Sequence, residues 1–232
     1  MASNVVLAVT GDIPREIIPD LKALLAKLPS GRVADPWAAG ASGEALLPAN
    51  PGDFTENQPR EQAVVLQAYP APRLHAPDFH AGEVADELFS GMASRLFERV
   101  REEKGLAYFV RSFRVIGSEA GMFCFFAGTQ PGREAEVLAE IEAEIERVRS
   151  DGAEEAELRR CQARLKAARR QATQTNSARA LQAALDALQG RPLNDWKNYD
   201  ARIEAVSRED LGAFARRYFR PALRTQLVVR PA

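Results

Sequence analysis

The sequence predicts an α+β fold in two layers: an antiparallel-rich sheet packed by helices. Three observations lead there. Apolar runs of strand length stand at 5–10, 64–68, 107–116, 121–128 and 223–229. Segments with apolar residues every three or four positions lie between them. Two of the strand runs are separated only by a short polar turn, which makes them an antiparallel hairpin.

The elements follow in chain order. Val5–Val9 reads as a buried strand, ended by Gly11-Asp12. Pro14 suits a first helical turn, and Ile17, Leu21, Leu24, Leu25 and Leu28 share one face of the helix that follows. Pro29-Ser30-Gly31 stops it. Residues 32–60 show little periodicity, have only Trp37 and Phe54 as aromatics, and read as a linker over a surface.

Val64–Ala68 is the next strand, closed by Pro70-Ala71-Pro72. Asp78 opens a helix lined by Val84, Ala85, Leu88 and Phe89, and Ser90-Gly91 breaks it. Ser94 caps a second helix anchored by Leu96 and Val100. The hairpin 107–116/121–128 turns at Gly117-Ser118-Glu119. A helix with Val137, Leu138, Ile141, Ile145 and Val148 on one face ends at Asp151-Gly152. A long helical region from Glu154 to Gln189 is interrupted at Thr173–Ser177. Ser207-Arg208-Glu209-Asp210 resembles a capping box for one more helix, and Leu223–Val229 is the last strand. The last strand echoes Val5–Val9 in character, which suggests two tandem copies of one domain with most of the first missing. The expected division is residues 1–31 as the tail of a first domain, 32–60 as linker, and 61–232 as a second domain.

Composition narrows the function. The chain has 232 residues, 46% hydrophobic and 27% charged, with formal net charge −1. No excess of positive charge marks nucleic acid or an anionic membrane as its partner. Two cysteines, Cys124 and Cys161, rule out a disulfide framework and read as buried free thiols. The arginines around Cys161 are of the kind that lower a thiol pKa, although an inert cysteine is the better reading. His75 and His80 are the only histidines, and Pro77 between them breaks the helix that a metal-binding pair needs. No metal site is expected in this chain. No nucleophile elbow or phosphate loop is present. Arg159, Arg160, Arg164, Lys166, Arg169 and Arg170 make a basic run that reads as a solvated helix face.

One constellation carries chemistry. In the stretch from Gly91 to Tyr108, a capped helix ends near Gly105 and runs into a strand. Arg101 lies in its last turn and Tyr108 at the start of the strand. A guanidinium and a phenol aimed at one point are donors for a carbonyl oxygen. The plainer alternative pairs Arg101 with Glu98 and buries Tyr108 in the core.

This stretch resembles the pitrilysin/insulinase family of zinc metallopeptidases, which includes the mitochondrial processing peptidases. Ser94-Arg95-Leu96-Phe97 through Gly105-Leu106-Ala107-Tyr108 matches the pattern of that family's second homologous domain. The resemblance extends to Val5–Asp12, Gln62–Ala68 and Ser207–Val229. It implies that Arg101 and Tyr108 grip peptide substrate across a cleft from zinc. The family's His-x-x-Glu-His motif is absent from this sequence. The resemblance therefore implies zinc in the full enzyme and none in this chain. It also implies a partner, either the missing N-terminal domain or a homologous subunit, since similar bacterial members often occur as paired chains. The rival expectation is a non-catalytic scaffold subunit. Residues 4–28, with open strand edges and an uncovered apolar face, are expected to dock on the chain's own sheet or to form a dimer.

Overall fold

A computed structural model describes residues 5–31, 50–192 and 195–232. The chain divides into two compact units, one of residues 1–41 with 166–201, the other of residues 42–165 with 202–232.

The larger unit holds one five-stranded sheet. Its strands are β1 (Gly52–Gln58), β2 (Ala63–Ala71), β3 (Ala107–Ile116), β4 (Gly121–Thr129) and β5 (Thr225–Pro231), in the order β1-β5-β2-β4-β3. All neighbours are antiparallel except β1 and β5. The expected α+β layered fold is what the structure shows. The hairpin is β3–β4, and Gly117 N–H closes its turn on the Ala120 carbonyl at 2.9 Å.

Strand β2 runs on through Pro70, beyond the expected stop. The reason lies in the pairing: β5 accompanies β2 only from Val64 to Ala68, so Pro70 has β4 on one side and no ladder on the other. A residue without an N–H is tolerated at such a position.

One face of the sheet is covered by helices α2 (Phe79–Phe89), α3 (Glu134–Asp151) and α7 (Arg208–Tyr218). The expected inner residues Val84, Ala85, Leu88, Phe89, Val137, Ile141, Ile145 and Val148 are all buried. Tyr69, Phe89, Phe123, Phe125, Phe214 and Phe219 meet there edge-on, with centroids as close as 4.9 Å between Phe123 and Phe219. Such contacts add to the area each ring buries. Gln67 is the polar exception, donating to Glu142 at 3.0 Å and to Gln226 at 3.1 Å. The capping box opening α7 is present, with Ser207 Oγ accepting from Asp210 N–H and Asp210 accepting from Ser207 N–H.

The smaller unit contains α1 (Ile17–Ala26), α5 (Asn176–Leu188) and part of α4 (Glu155–Ala172), which ends at the expected polar interruption. Thr175 caps α5, its hydroxyl accepting from Ala178 N–H at 3.1 Å. A short helix α6 (Tyr199–Glu204) precedes α7.

Two expectations need correction. Val5–Thr10 forms no ladder among the described residues and is mostly exposed; a strand exists only where another edge satisfies its N–H and C=O groups. The expected linker 32–60 ends in strand β1; residues 32–49 of it lie outside the described residues.

Candidate functional site

The segment carrying Arg101 is a π-helix, Phe97–Glu103. Ser94 starts it as expected, its Oγ accepting from Phe97 N–H at 3.2 Å, and fully buried Leu96 and Val100 anchor it. Gly105 ends it at φ +57°, where the left-handed backbone favours glycine. Gly105 N–H donates to Arg101 C=O at 3.1 Å and Leu106 N–H to Val100 C=O at 2.8 Å. Each of these bonds reaches one residue further back than in an ordinary glycine-capped helix end. The wider π turn thus sets how the chain enters β3. Thr129 pins that entry from β4, donating to the Leu106 carbonyl at 2.5 Å.

The entry is irregular at one place. Ala107 pairs with Thr129 but Phe109 pairs with Gly128, so Tyr108 is the extra residue of a β-bulge. A bulge re-aims the side chain it inserts. Tyr108 is 51% exposed. Arg101 is 45% exposed at its side chain, its guanidinium 4.9 Å above the Phe97 ring and 3.8 Å from Glu102. The alternative in which Tyr108 is buried and Arg101 pairs with Glu98 is not what the structure shows.

The neighbouring Arg95 has a structural task. It grips Glu157 of α4 through two hydrogen bonds, of 2.7 and 2.5 Å, inside a polar recess of about 530 Å³. Burial works to raise the Glu157 pKa, but the arginine's hydrogen bonds prevail and hold it below the usual carboxylate value.

The other candidates resolve on geometry. The basic residues of α4 lie mostly exposed, as a solvated face requires, and several meet partners there. Arg164 pairs with Glu87 at 2.7 Å, Arg160 donates to the Ala93 carbonyl at 2.8 Å, Arg159 meets Glu155 and Arg170 meets Asp200. Cys124 and Cys161 are buried free thiols. Burial pushes Cys124 up to about 11 and Cys161 up to about 12, so the arginines near Cys161 do not activate it. His80 lies 2.7 Å from Glu83, and His75 has a left-handed backbone. Among the described residues no three His, Cys, Asp or Glu side chains gather as a metal site would require.

Residues 2–165 match the family model described as the peptidase M16 inactive domain, more than half of the chain. The chain belongs to the M16 peptidase family. The match bears out the resemblance carried by Ser94–Tyr108. An uncharacterized zinc protease of Streptomyces coelicolor is 29% identical over 163 residues, 68% of this chain and 35% of that protein. A second, from Mycobacterium leprae, is 42% identical over 72 residues, 31% of this chain and 16% of its own. Among solved structures, a protease from Helicobacter pylori superimposes with TM-score 0.81 at 21% identity, over 96% of this chain and 54% of that one. The peptidase M16 inactive domain from Pseudomonas fluorescens gives 0.80 at 19%, over 96% and 52%. The chain therefore spans about a third of the length of the Streptomyces relative and about half of these two solved chains.

Sequence reasoning missed one residue next to this site. Arg111 is exposed on β3, with its guanidinium 6.0 Å above the Phe126 ring. The alternation of β3 carried that signal, since positions 109, 111 and 113 share one face.

Proposed function

We propose that this chain is the substrate-holding half of an M16 zinc endopeptidase. Arg101 and Tyr108 hold the backbone of an unfolded peptide segment. The metal and the general base come from a missing N-terminal domain or a homologous partner chain. Residues 1–31 are the tail of that preceding domain, 32–60 lead out of it, and the rest is the holding domain. The observation that supports this reading is that a wide helix end leaves the Arg101 guanidinium exposed and a β-bulge leaves the Tyr108 phenol exposed, seven residues apart in the chain. A core role for Tyr108 needs neither device. The described residues contain no grouping that would hold zinc, so no catalytic step is assigned to this chain beyond binding and orienting.

The test is turnover of an unfolded peptide by the parent protein, or by this chain mixed with its zinc-bearing partner. Arg101→Ala and Tyr108→Phe must each impair it. Unchanged kinetics in both variants would leave the pair structural.

A second reading is a non-catalytic partner subunit. The description of the matched domain as inactive favours it, as does the fold shared with a chain of Complex III2 from Candida albicans, TM-score 0.73 at 16% identity. A partner with wild-type turnover regardless of Arg101 and Tyr108 would decide for it.

The arm is the further contact. Val5, Val6, Leu7, Val9, Ile17, Ile18, Leu24 and Leu28 are all exposed, and α1 buries no residue. We propose that this apolar arm docks on a second copy when no other domain covers it. Light scattering that finds a monomer at every concentration would refute this.

A further inference from the structure

The sheet face away from the helices α2, α3 and α7 carries a row of side chains in cross-strand register. Phe54 of β1 is paired with Leu227 of β5, Leu227 with Leu66 of β2, Leu66 with Phe126 of β4, and Phe126 with Arg111 of β3. Leu66, Leu227 and Phe126 are half-buried, Phe54 is 50% exposed and Arg111 is exposed. The row is apolar along four strands and ends in a single cation on the fifth. Beside it, Phe109 lies 5.0 Å from Phe126, its ring seated over Gly128 where a Cβ would meet it at 2.4 Å. Arg111 makes no ion pair among the described residues; its contact is the Phe126 ring. The nearest acid in the adjacent row, Glu56, stands on β1 at the opposite edge of the sheet and accepts from Gln58.

Five strands at the usual spacing span roughly 19 Å, the length of about six residues of extended peptide. Tyr108 adjoins Phe109 at the Arg111 end of this face.

We infer that this face is a side-chain subsite for an extended apolar peptide segment with an acidic residue at the end that meets Arg111. The inference rests on the reading of the chain as a substrate-holding domain. Charge complementarity names the occupant: an apolar strip alone takes any greasy segment, whereas an uncompensated guanidinium at one end favours a carboxylate there and disfavours an amine. The aromatic ring under Arg111 keeps the cation at the surface of the strip.

The experiment uses this chain and short fluorescein-labelled peptides, read by anisotropy. One peptide is an apolar run ending in Glu, a second ends in Lys, and a third has Ser in place of the apolar residues. The Glu peptide should bind ~10-fold more tightly than the Lys peptide, and the Ser peptide most weakly. Arg111→Glu should invert the order of the first two, and Phe54→Ser, at an exposed position, should weaken both alike. Arg101→Ala and Tyr108→Phe should weaken all peptides without changing their order. If Arg111→Glu leaves the order as it was, the subsite is wrong and the proposed function stands. If Arg111→Glu inverts the order while Arg101→Ala and Tyr108→Phe change nothing, the proposed function falls and the subsite stands. Absence of binding by every peptide overturns both. A dimer dispersed by Arg111→Glu, with peptide binding unaffected, overturns the inference in favour of a second copy on this face.

Discussion

Leu106 N–H donates to the carbonyl of Val100, six residues back, at 2.8 Å, and this bond decides where Tyr108 enters the sheet. It depends on Gly105 at φ +57°, where no atom lies within 4 Å of a would-be Cβ. Gly105→Ala therefore meets no clash, and its cost is conformational alone, ~1–2 kcal/mol. Urea denaturation should show that loss. Turnover in the assembled enzyme should fall further than the lost stability explains, because Tyr108 is re-aimed. Wild-type turnover in Gly105→Ala would separate the turn from the site.

Tyr108→Phe removes one donor and leaves the fold intact, since the ring is half out in solvent. Turnover should fall by ~10–10³-fold, the upper end applying if the phenol meets developing charge. Arg101→Ala should raise KM as well as lower kcat. Steady-state kinetics with circular dichroism on both variants checks this; an altered spectrum would assign the loss to folding.

The capping box of α7 gives a pH dependence. Hydrogen bonds from the Ser207 hydroxyl and then its backbone hold Asp210 below its ordinary value of 3.8. A carboxylate with a depressed folded pKa binds fewer protons folded than unfolded. Its contribution is complete above the ordinary value and is lost as pH falls through the lower folded value. Ser207→Ala should cost ~1 kcal/mol at neutral pH. Asp210→Ala should flatten the stability profile below about pH 4, taking the ordinary carboxylate range as the window. Equal acid slopes in wild type and variant would show the box to be idle.

This chain, purified and dialysed, should carry no stoichiometric zinc, because a catalytic site needs three well-placed ligands. Elemental analysis measures it directly. One zinc per chain, lost in a His75→Ala/His80→Ala variant, would overturn the expectation.

The helical layer was legible in the sequence because its signals are local and strong. Glycine and proline stops, Ser207 and Ser94 caps, and apolar spacing along α2, α3 and α7 all point to what is observed. Strand β1 was not legible. Gly52-Asp53-Phe54-Thr55-Glu56-Asn57-Gln58 has one large apolar residue, and an edge strand in parallel pairing owes its form to β5 rather than to its own pattern. Val5–Thr10 failed the other way: its apolar composition suited a strand, but it pairs with no described strand. The positions of Arg101 and Tyr108 at a helix end and a strand start could be read. The π turn and the bulge that expose them could not: one extra residue in a helical turn barely moves the apolar spacing, and the bulge falls so near the start of β3 that only Ala107 precedes it to show the change of alternation.

Strand β5 comes last in sequence yet lies between β1 and β2 in the sheet. During vectorial synthesis, β2, β3 and β4 can zip together while β1 has nothing to pair with, and one edge of β2 stays open until Thr225–Pro231 leaves the ribosome. The nascent unit thus exposes a sticky strand edge for nearly its whole translation, the stage at which chaperone capture or aggregation competes with completion. Deleting Thr225–Pro231 should accordingly strand β1 altogether and leave a three-stranded remnant, a lesion out of proportion to the length of β5 itself.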